Sequence, residues 1–526
     1  MAQKYEVIVA GAGHNGLIVA AYLAKAGVKV LVVEGQDIIG GGVMSKEGLA
    51  APGFVTDMAS VCHGFIQPNP VIKNDELELK SKYGLEYITP EKQVAVVFPD
   101  DRSIIFHRDV DKTCQSIAQF SEKDADAYRK FYDLASKQLD MLTAGLYSPT
   151  PRFGAFSAAL EGTREGRDLL HAMLISGDDI AKEWFEDDHT LVACNRFVSE
   201  NMMDPRVDGS ALNLFLFIPV CHKYGWPLAV GGSGELSQSL GRCIIDHGGE
   251  IRTSSWVKKF KIEAGECKGV ILESGEEILA TKAVVTNLSI KQLDERMLGA
   301  ENVTEHYSTR VKNLRFQEYQ AMLQGYALNE APSYKAGKDV DESFLVEFAP
   351  DTLLDFNKEF DAYSYGQPWT KSPLCMTLTR WDPTRAPAGK HTLYLYHYEP
   401  YNLAGGGQRW DEIKEQVADE ILNNYRKRTT NMGPENIIGR WVSSPLDKER
   451  RNPAWIQGNF NHIGSQLIQQ YGNRPFPEVQ DYRMPVDKMY LCGPSTYPGP
   501  GVIGGGRAAV QVVMEDLGID FDDVVG

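Results

Sequence analysis

Basic charge is what this chain lacks most visibly: Lys plus Arg number 54 against 71 Asp plus Glu, leaving −17 over 526 residues. Such a surface repels a polyanion, so no nucleic-acid partner is expected, and neither sign gathers into a dominant block. Cysteine is sparse and scattered. The eight residues between Cys62 and Cys492 include no CxxC pair, and no His or Cys group shows metal-ligand spacing. That excludes a disulfide framework and a zinc ribbon, predicts no metal, and reads as reduced thiols. No apolar run reaches the roughly 20 residues of a membrane span. The opening residues lead straight into a strand and leave no room for a secretory leader. A cytoplasmic protein is expected, with peripheral contact to a membrane surface the most that the pattern allows.

Glycine, by contrast, is used pointedly. Tyr5 to Gly16 continues through an apolar helix pattern to Val30–Glu34, which reads as strand, tight turn, helix, strand. Gly11 permits the turn, Gly13 admits a pyrophosphate to the backbone, and Gly16 lets helix and strand pack closely. The free N–H groups at the helix start, from His14 and Asn15 onward, attract phosphate. Glu34, at the end of the second strand, is placed to accept hydrogen bonds from an adenosine ribose. A second cluster, Gly40, Gly41 and Gly42, lets backbone lie against more of a long dinucleotide, which tilts the reading from NAD to FAD.

At this length two intertwined domains are the default. Gly53 to Pro70 reads as a loop of small and apolar residues that passes beside a flavin; His63 is its one titratable ring, either facing substrate or holding structure. Val94–Phe98 and Ser103–His107 form a hairpin signature. Ser121 to Asp124 resembles a capping box opening a helix through Tyr128, Phe131 and Ala135. The apolar stretch Ala211–Val220 is either domain core or pocket wall, with core favoured. Glycines return before a helix pattern at Leu236, Leu240 and Ile244. A β-rich block to Asn287 follows, in which Val257 offers backbone groups to an adenine.

Leu374, Met376 and Leu378 alternate with Cys375, Thr377 and Thr379 as in a half-buried strand. The strand His391–Tyr398 sets Tyr394, Tyr396 and Tyr398 on one face, either lining a flat pocket or packing under a helix. Near the end, a strand stops at Gly493, a Pro/Gly loop follows, and a helix begins near Gly504. That loop, with the Val502 and Ile503 amides, offers donors where the N1/C2 edge of a flavin could lie.

These motifs resemble the phytoene-desaturase-like flavoproteins, relatives of the flavin amine oxidases. The likeness spans nearly the whole chain: the N-terminal fingerprint, the Gly231 to Asn287 block, and Leu491-Cys-Gly-Pro-Ser-Thr-Tyr-Pro-Gly-Pro-Gly501. Leu403–Gly406 and Gly458–His462 carry it further. The resemblance implies an α/β protein with a mostly parallel, Rossmann-type FAD domain (1–70, 225–295, 471–526) and a mixed α+β substrate domain (71–224, 296–470).

It also implies an oxidoreductase that dehydrogenates or desaturates an apolar substrate, isoprenoid-like or aromatic, by hydride transfer to flavin N5. An oxygen-dependent oxidase of an alcohol or amine, a non-redox isomerase using reduced FAD, and a flavin-stabilised interaction protein without turnover stay open. So do the electron acceptor, the oligomeric state and any catalytic side chain. Two places depart from the pattern. Gly42 stands where relatives carry Arg, so phosphate contacts must come from backbone. Pro498 to Gly501 replaces the aromatics of an amine cage, which argues against an amine.

Overall fold

A computed structural model describes residues 3–526. The first sheet grows from the glycine fingerprint. Val7, Ile8 and Val9 are fully buried because both faces of their strand are covered. The seven strands run in the order Val257–Glu263, Glu266–Leu272, Glu277–Thr286, Gln3–Ala10, Val30–Val33 and Glu250–Arg252, with Met489–Leu491 also pairing Glu277–Thr286. Pairing is parallel around the first strand, with Ile8 opposite Leu31 on one side and Val284 on the other. Only the outlying hairpin of Val257–Leu272 and its neighbour are antiparallel.

Helix His14–Lys25 makes the first crossover, and helix Glu235–Asp246 leads into the strand Glu250–Arg252. The last long helix, Gly506–Leu517, packs on the first. There Gly506 sits so close that a Cβ would lie 2.2 Å from the Asn15 carbonyl oxygen.

A second seven-stranded sheet has the order Ile437–Ser443, Gln320–Leu328, His391–Glu399, Leu374–Met376, Leu345–Phe348, Lys92–Val97, Ser103–His107. It is antiparallel except where Leu345–Phe348 runs alongside Lys92–Val97. Strand alternation sorts its residues: Val94, Val96, Tyr394 and Tyr398 pack under the helices Glu122–Leu146 and Leu212–Lys223. Ala95, Val97, Leu393 and Leu395 pack under Trp410 and Tyr425 on the other side.

The two halves are riveted by a sealed ion cluster. Arg385 donates to Asp57 at 2.6 Å, to Asp382 at 2.9 Å and to the Ala229 carbonyl at 2.8 Å. Each carboxylate is also claimed by backbone, Asp57 by Ser233 N–H and Asp382 by Gly231 N–H, both within 2.9 Å. A buried pair is stable only when its remaining lone pairs are filled in this way.

Three local expectations change. The strand at Leu374 ends at Met376 and is buried at every position rather than alternately, because it lies inside the sheet; Leu378–Arg380 turns as a 3-10 helix. Ser121 caps its helix through the Asp124 amide at 3.1 Å, but the reciprocal half of the box is absent. The Asp124 carboxylate instead takes the amides of Glu186 and Asp187. Helix Gly506–Leu517 starts two residues beyond Gly504, since Gly504 has a φ of +78° and cannot belong to it.

Candidate active site

A cavity of about 710 Å³ runs between the two sheets. Its first wall is the glycine turn. Gly11, at φ +97°, donates its N–H to Val33, and Gly40 donates to Ala12, so the two glycine clusters are stitched together. At Gly13 a Cβ would come within 2.4 Å of the Asn287 side chain. The helix then opens at His14 with no side-chain cap, leaving first-turn N–H groups to the cavity.

Glu34 accepts the Ala12 amide at 2.7 Å and the Gln36 amide at 2.8 Å. Burial pushes its carboxyl above the usual range. Gly41 and Gly42 complete this wall; a Cβ on Gly42 would meet nothing nearer than Trp455, at 3.9 Å, so the backbone there does not demand glycine.

At one end Val257 lines the cavity beside Trp256, whose ring lies so close over Gly35 that a Cβ there would sit 2.3 Å away. At the other end the wall is built by Ala59 to Cys62, Tyr396, Tyr398, Phe460, His462 and the loop Pro498–Ile503. The amides of Val502, Ile503, Gly504 and Gly505 donate to no protein acceptor among the described residues, whereas Gly506 N–H is taken by Asn15 Oδ1 at 3.1 Å.

The remaining expected residues stand just behind this surface. Gly16 approaches the Gly11 carbonyl and Gly493 approaches Asn287, each leaving under 2.5 Å for a Cβ. Gly40 is held at φ +125° against Val43.

His63 does not line the cavity. Its ring turns inward, with Nδ1 2.8 Å from the Tyr87 hydroxyl, and burial lowers its pKa to about 3. Tyr396 does face the cavity; of its neighbours on the strand, Tyr398 lines it too, while Tyr394 is sealed against the Ala59 carbonyl. The stretch at Ala211–Val220 serves both purposes considered for it: Leu214 and Ile218 enter the core, while Leu212, Leu216 and Phe217 form cavity wall.

Several lining residues carry no local motif. Asn287 wedges between Gly13 and Gly493, its Oδ1 without a protein partner; His14 Nε2 is likewise unpartnered. Burial holds His14 at a pKa of about 4 and His462 at about 3, so both rings are neutral. Among the described residues Arg451 is the one guanidinium on the wall, meeting Met44 and donated to, at its carbonyl, by Gln36. Glu200 brings a carboxyl to the same cavity.

A glycine cradle, an uncapped helix start, a buried acid at ribose distance along the strand, and unclaimed amides at the far end together fit FAD. A family model described as flavin containing amine oxidoreductase matches residues 16–427. The chain belongs to this family. As a flavin containing amine oxidoreductase it is an FAD-dependent enzyme that acts on a small molecule. It is 29% identical to pyridine nucleotide-disulfide oxidoreductase domain-containing protein 2 of Rattus norvegicus, over 98% of this chain and 94% of that one.

A limonene dehydrogenase polypeptide of Castellaniella defragrans is 26% identical over 99% of this chain and 96% of its own. A solved oxidoreductase structure from Methanosarcina mazei shares the fold, with a TM-score of 0.61 at 17% identity, covering 98% of this chain and all of that one. Among the described residues no helix is long and apolar enough to cross a membrane.

Proposed function

We propose that this flavoenzyme dehydrogenates or desaturates a largely apolar substrate. The observation that carries the reading is the cavity beyond Tyr396, walled by Leu142, Leu146, Leu169, Met173, Leu216 and Phe217, which leaves room for a hydrocarbon skeleton. The likeness to the limonene dehydrogenase of Castellaniella defragrans supports it. The prolines and glycines of Pro498–Gly501 argue against an amine, since they offer no aromatic faces to a cation.

FAD, when bound, supplies the hydride acceptor. The chain's part would be to hold it: the backbone at Gly11, Gly13–Asn15, Gly41 and Gly42 would face the pyrophosphate with Arg451 as counter-charge, Glu34 would take the ribose and Val257 would meet the adenine. The Val502 and Ile503 amides, which no protein acceptor claims, would take the pyrimidine edge. We assign this work to residues 1–70, 225–295 and 471–526, and substrate selection chiefly to 71–224 and 296–470. Burial keeps the His14 and His462 rings neutral at ordinary pH. The walls orient a carbon and exclude water, which is the main demand of a hydride transfer.

Anaerobic mixing of FAD-loaded protein with isoprenoids, aromatics and amines tests this. Bleaching of the flavin band by an isoprenoid or aromatic is expected, and subsequent admission of oxygen reports whether it re-oxidises directly. Bleaching by amines alone would overturn the reading. Conversion of an isoprenoid to its double-bond isomer, only after the flavin is reduced, would replace it with isomerase chemistry.

A further inference from the structure

Among the described residues three arginines are buried, and two of them are answered by acids. Arg385 has Asp57 and Asp382, and Arg196 faces Glu347 at 3.1 Å and Glu359 at 3.6 Å. Arg474 differs: every hydrogen bond it donates goes to a backbone carbonyl. Nε and Nη2 reach Pro494 at 2.9 and 2.5 Å, and Nη1 reaches Gly464 at 2.8 Å and Gln469 at 3.2 Å. Nη2 also reaches Asn461 and Ile463, both at 3.3 Å. These dipoles replace water around the guanidinium but bring no negative charge. Buried charges are ordinarily paired, because an unpaired one is costly. Burial alone lowers the pKa of Arg474, and only to about 9, so the charge persists at neutral pH.

That charge lies one layer behind the cavity wall. Pro494, whose carbonyl takes two of the donors, lines the cavity, and so do Ser465 and Gln470, next in the chain to two other acceptors. A Cβ on Gly499 would stand 3.1 Å from Arg474 Nε, so the guanidinium also underlies the loop Pro498–Ile503. One side chain thus ties the turn at Asn461–Gln469 to the loop at Pro494–Gly499, and both face the cavity. His462, on the same wall, is held neutral first by burial and then by this neighbouring positive charge. The group that gains negative charge inside the cavity is FAD on reduction, at the edge this loop would face.

We propose that Arg474 is the fixed counter-charge of reduced FAD: held behind the loop Pro494–Gly499, its guanidinium favours the anion formed at the pyrimidine edge and raises the flavin's midpoint potential. The inference rests on the placement of that edge at Val502 and Ile503. Arg474 acts through the wall rather than by contact, as a positioning residue. Reductive titration of FAD-loaded full-length protein against a reference dye reads the effect without turnover. A unit charge acting through one layer of protein, at an effective dielectric of about 20, shifts such an equilibrium roughly tenfold. In the parent, bound FAD should therefore be reduced at least about tenfold more readily than free FAD in the same buffer, a potential about 30 mV higher. Arg474→Met, which loses the charge, should give up about that tenfold. Arg474→Lys keeps the charge but not the planar fork, so it should stay within about threefold of the parent even if its melting temperature falls.

A parent potential at or below that of free FAD would overturn the proposal, and this measurement needs no variant to fold. So would a folded, flavin-replete Arg474→Met protein with the parent potential. Equal falls in the Met and Lys variants would also overturn it, by tracing the effect to the shape of the loop rather than to charge. Ile503→Pro separates this failure from that of the reading beneath it. If it lowers the potential while Arg474→Met does not, the edge lies at the loop and only the counter-charge is lost. If neither lowers it, the placement of the edge falls and the inference falls with it.

Discussion

Replacing Ile503 by proline removes one backbone donor from the row at Val502–Gly505 and leaves the rest of the site in place. The loop stays anchored, because the Ile503 carbonyl still accepts Asn69 Nδ2 at 2.9 Å and Gly506 N–H still reaches Asn15. Reduction places negative charge on the flavin's pyrimidine edge, so a donor there favours the reduced form, and its loss lowers the midpoint potential. A hydrogen bond to a charged group contributes about 1.5–3 kcal/mol. For a two-electron couple, where about 30 mV corresponds to 1.4 kcal/mol, this predicts a fall of roughly 30–65 mV.

The assay is reductive titration of FAD-loaded protein against a reference dye, with Ile503→Ala as the control that keeps the amide and should keep the parent potential. A folded, flavin-replete Ile503→Pro protein with the parent potential would refute the placement of this loop at the flavin. So would Ile503→Ala showing the same fall, since that would trace the effect to the side chain.

Three further outcomes concern the buried groups. Glu34→Gln keeps shape but loses charge and one acceptor, and should weaken FAD binding about ten- to a hundredfold in a titration of apoprotein; unchanged affinity would remove Glu34 from the ribose. Glu34→Ala should also lower the melting temperature, because the amides of Ala12 and Gln36 lose their acceptor. His14, His63 and His462 are depressed from 6.5 to about 4, 3 and 3, each chiefly by burial. Below pH 6.5 the unfolded chain binds these protons and the folded one does not, so stability present above that pH should drain away as pH falls towards 4. Denaturant unfolding across that range checks the slope, and replacing His462 by Gln should flatten it.

The sequence was most legible where chemistry constrains neighbours along the chain. Gly11, Gly13 and Glu34 lie within one strand–turn–helix–strand unit, whose form the spacing alone reveals. Strand alternation likewise put Tyr396 and Leu395 on opposite faces, but left open which face meets the cavity, a choice that packing makes. Residues that act across the fold gave no such signal. Arg451 reaches the wall from the C-terminal end of the short helix Pro445–Arg451, and Asn287 matters only because Gly13 and Gly493 converge on it. His63 stayed open for the converse reason: a polar ring in such a loop can face the cavity or turn to Tyr87 on its other side, and only packing decides which.

The contact between Asn15 and Gly506 joins positions 491 residues apart. While the chain is being made, the first strand, its turn and its helix emerge early but remain without the helix that covers them. The strand edge at Glu277–Thr286 also waits for Met489–Leu491 to pair with it. The dinucleotide cradle therefore closes last although its fingerprint is synthesised first, which makes folding slow in the manner of any long-range topology. Bound FAD would then add its stabilisation only to finished chains, by mass action on the folded state.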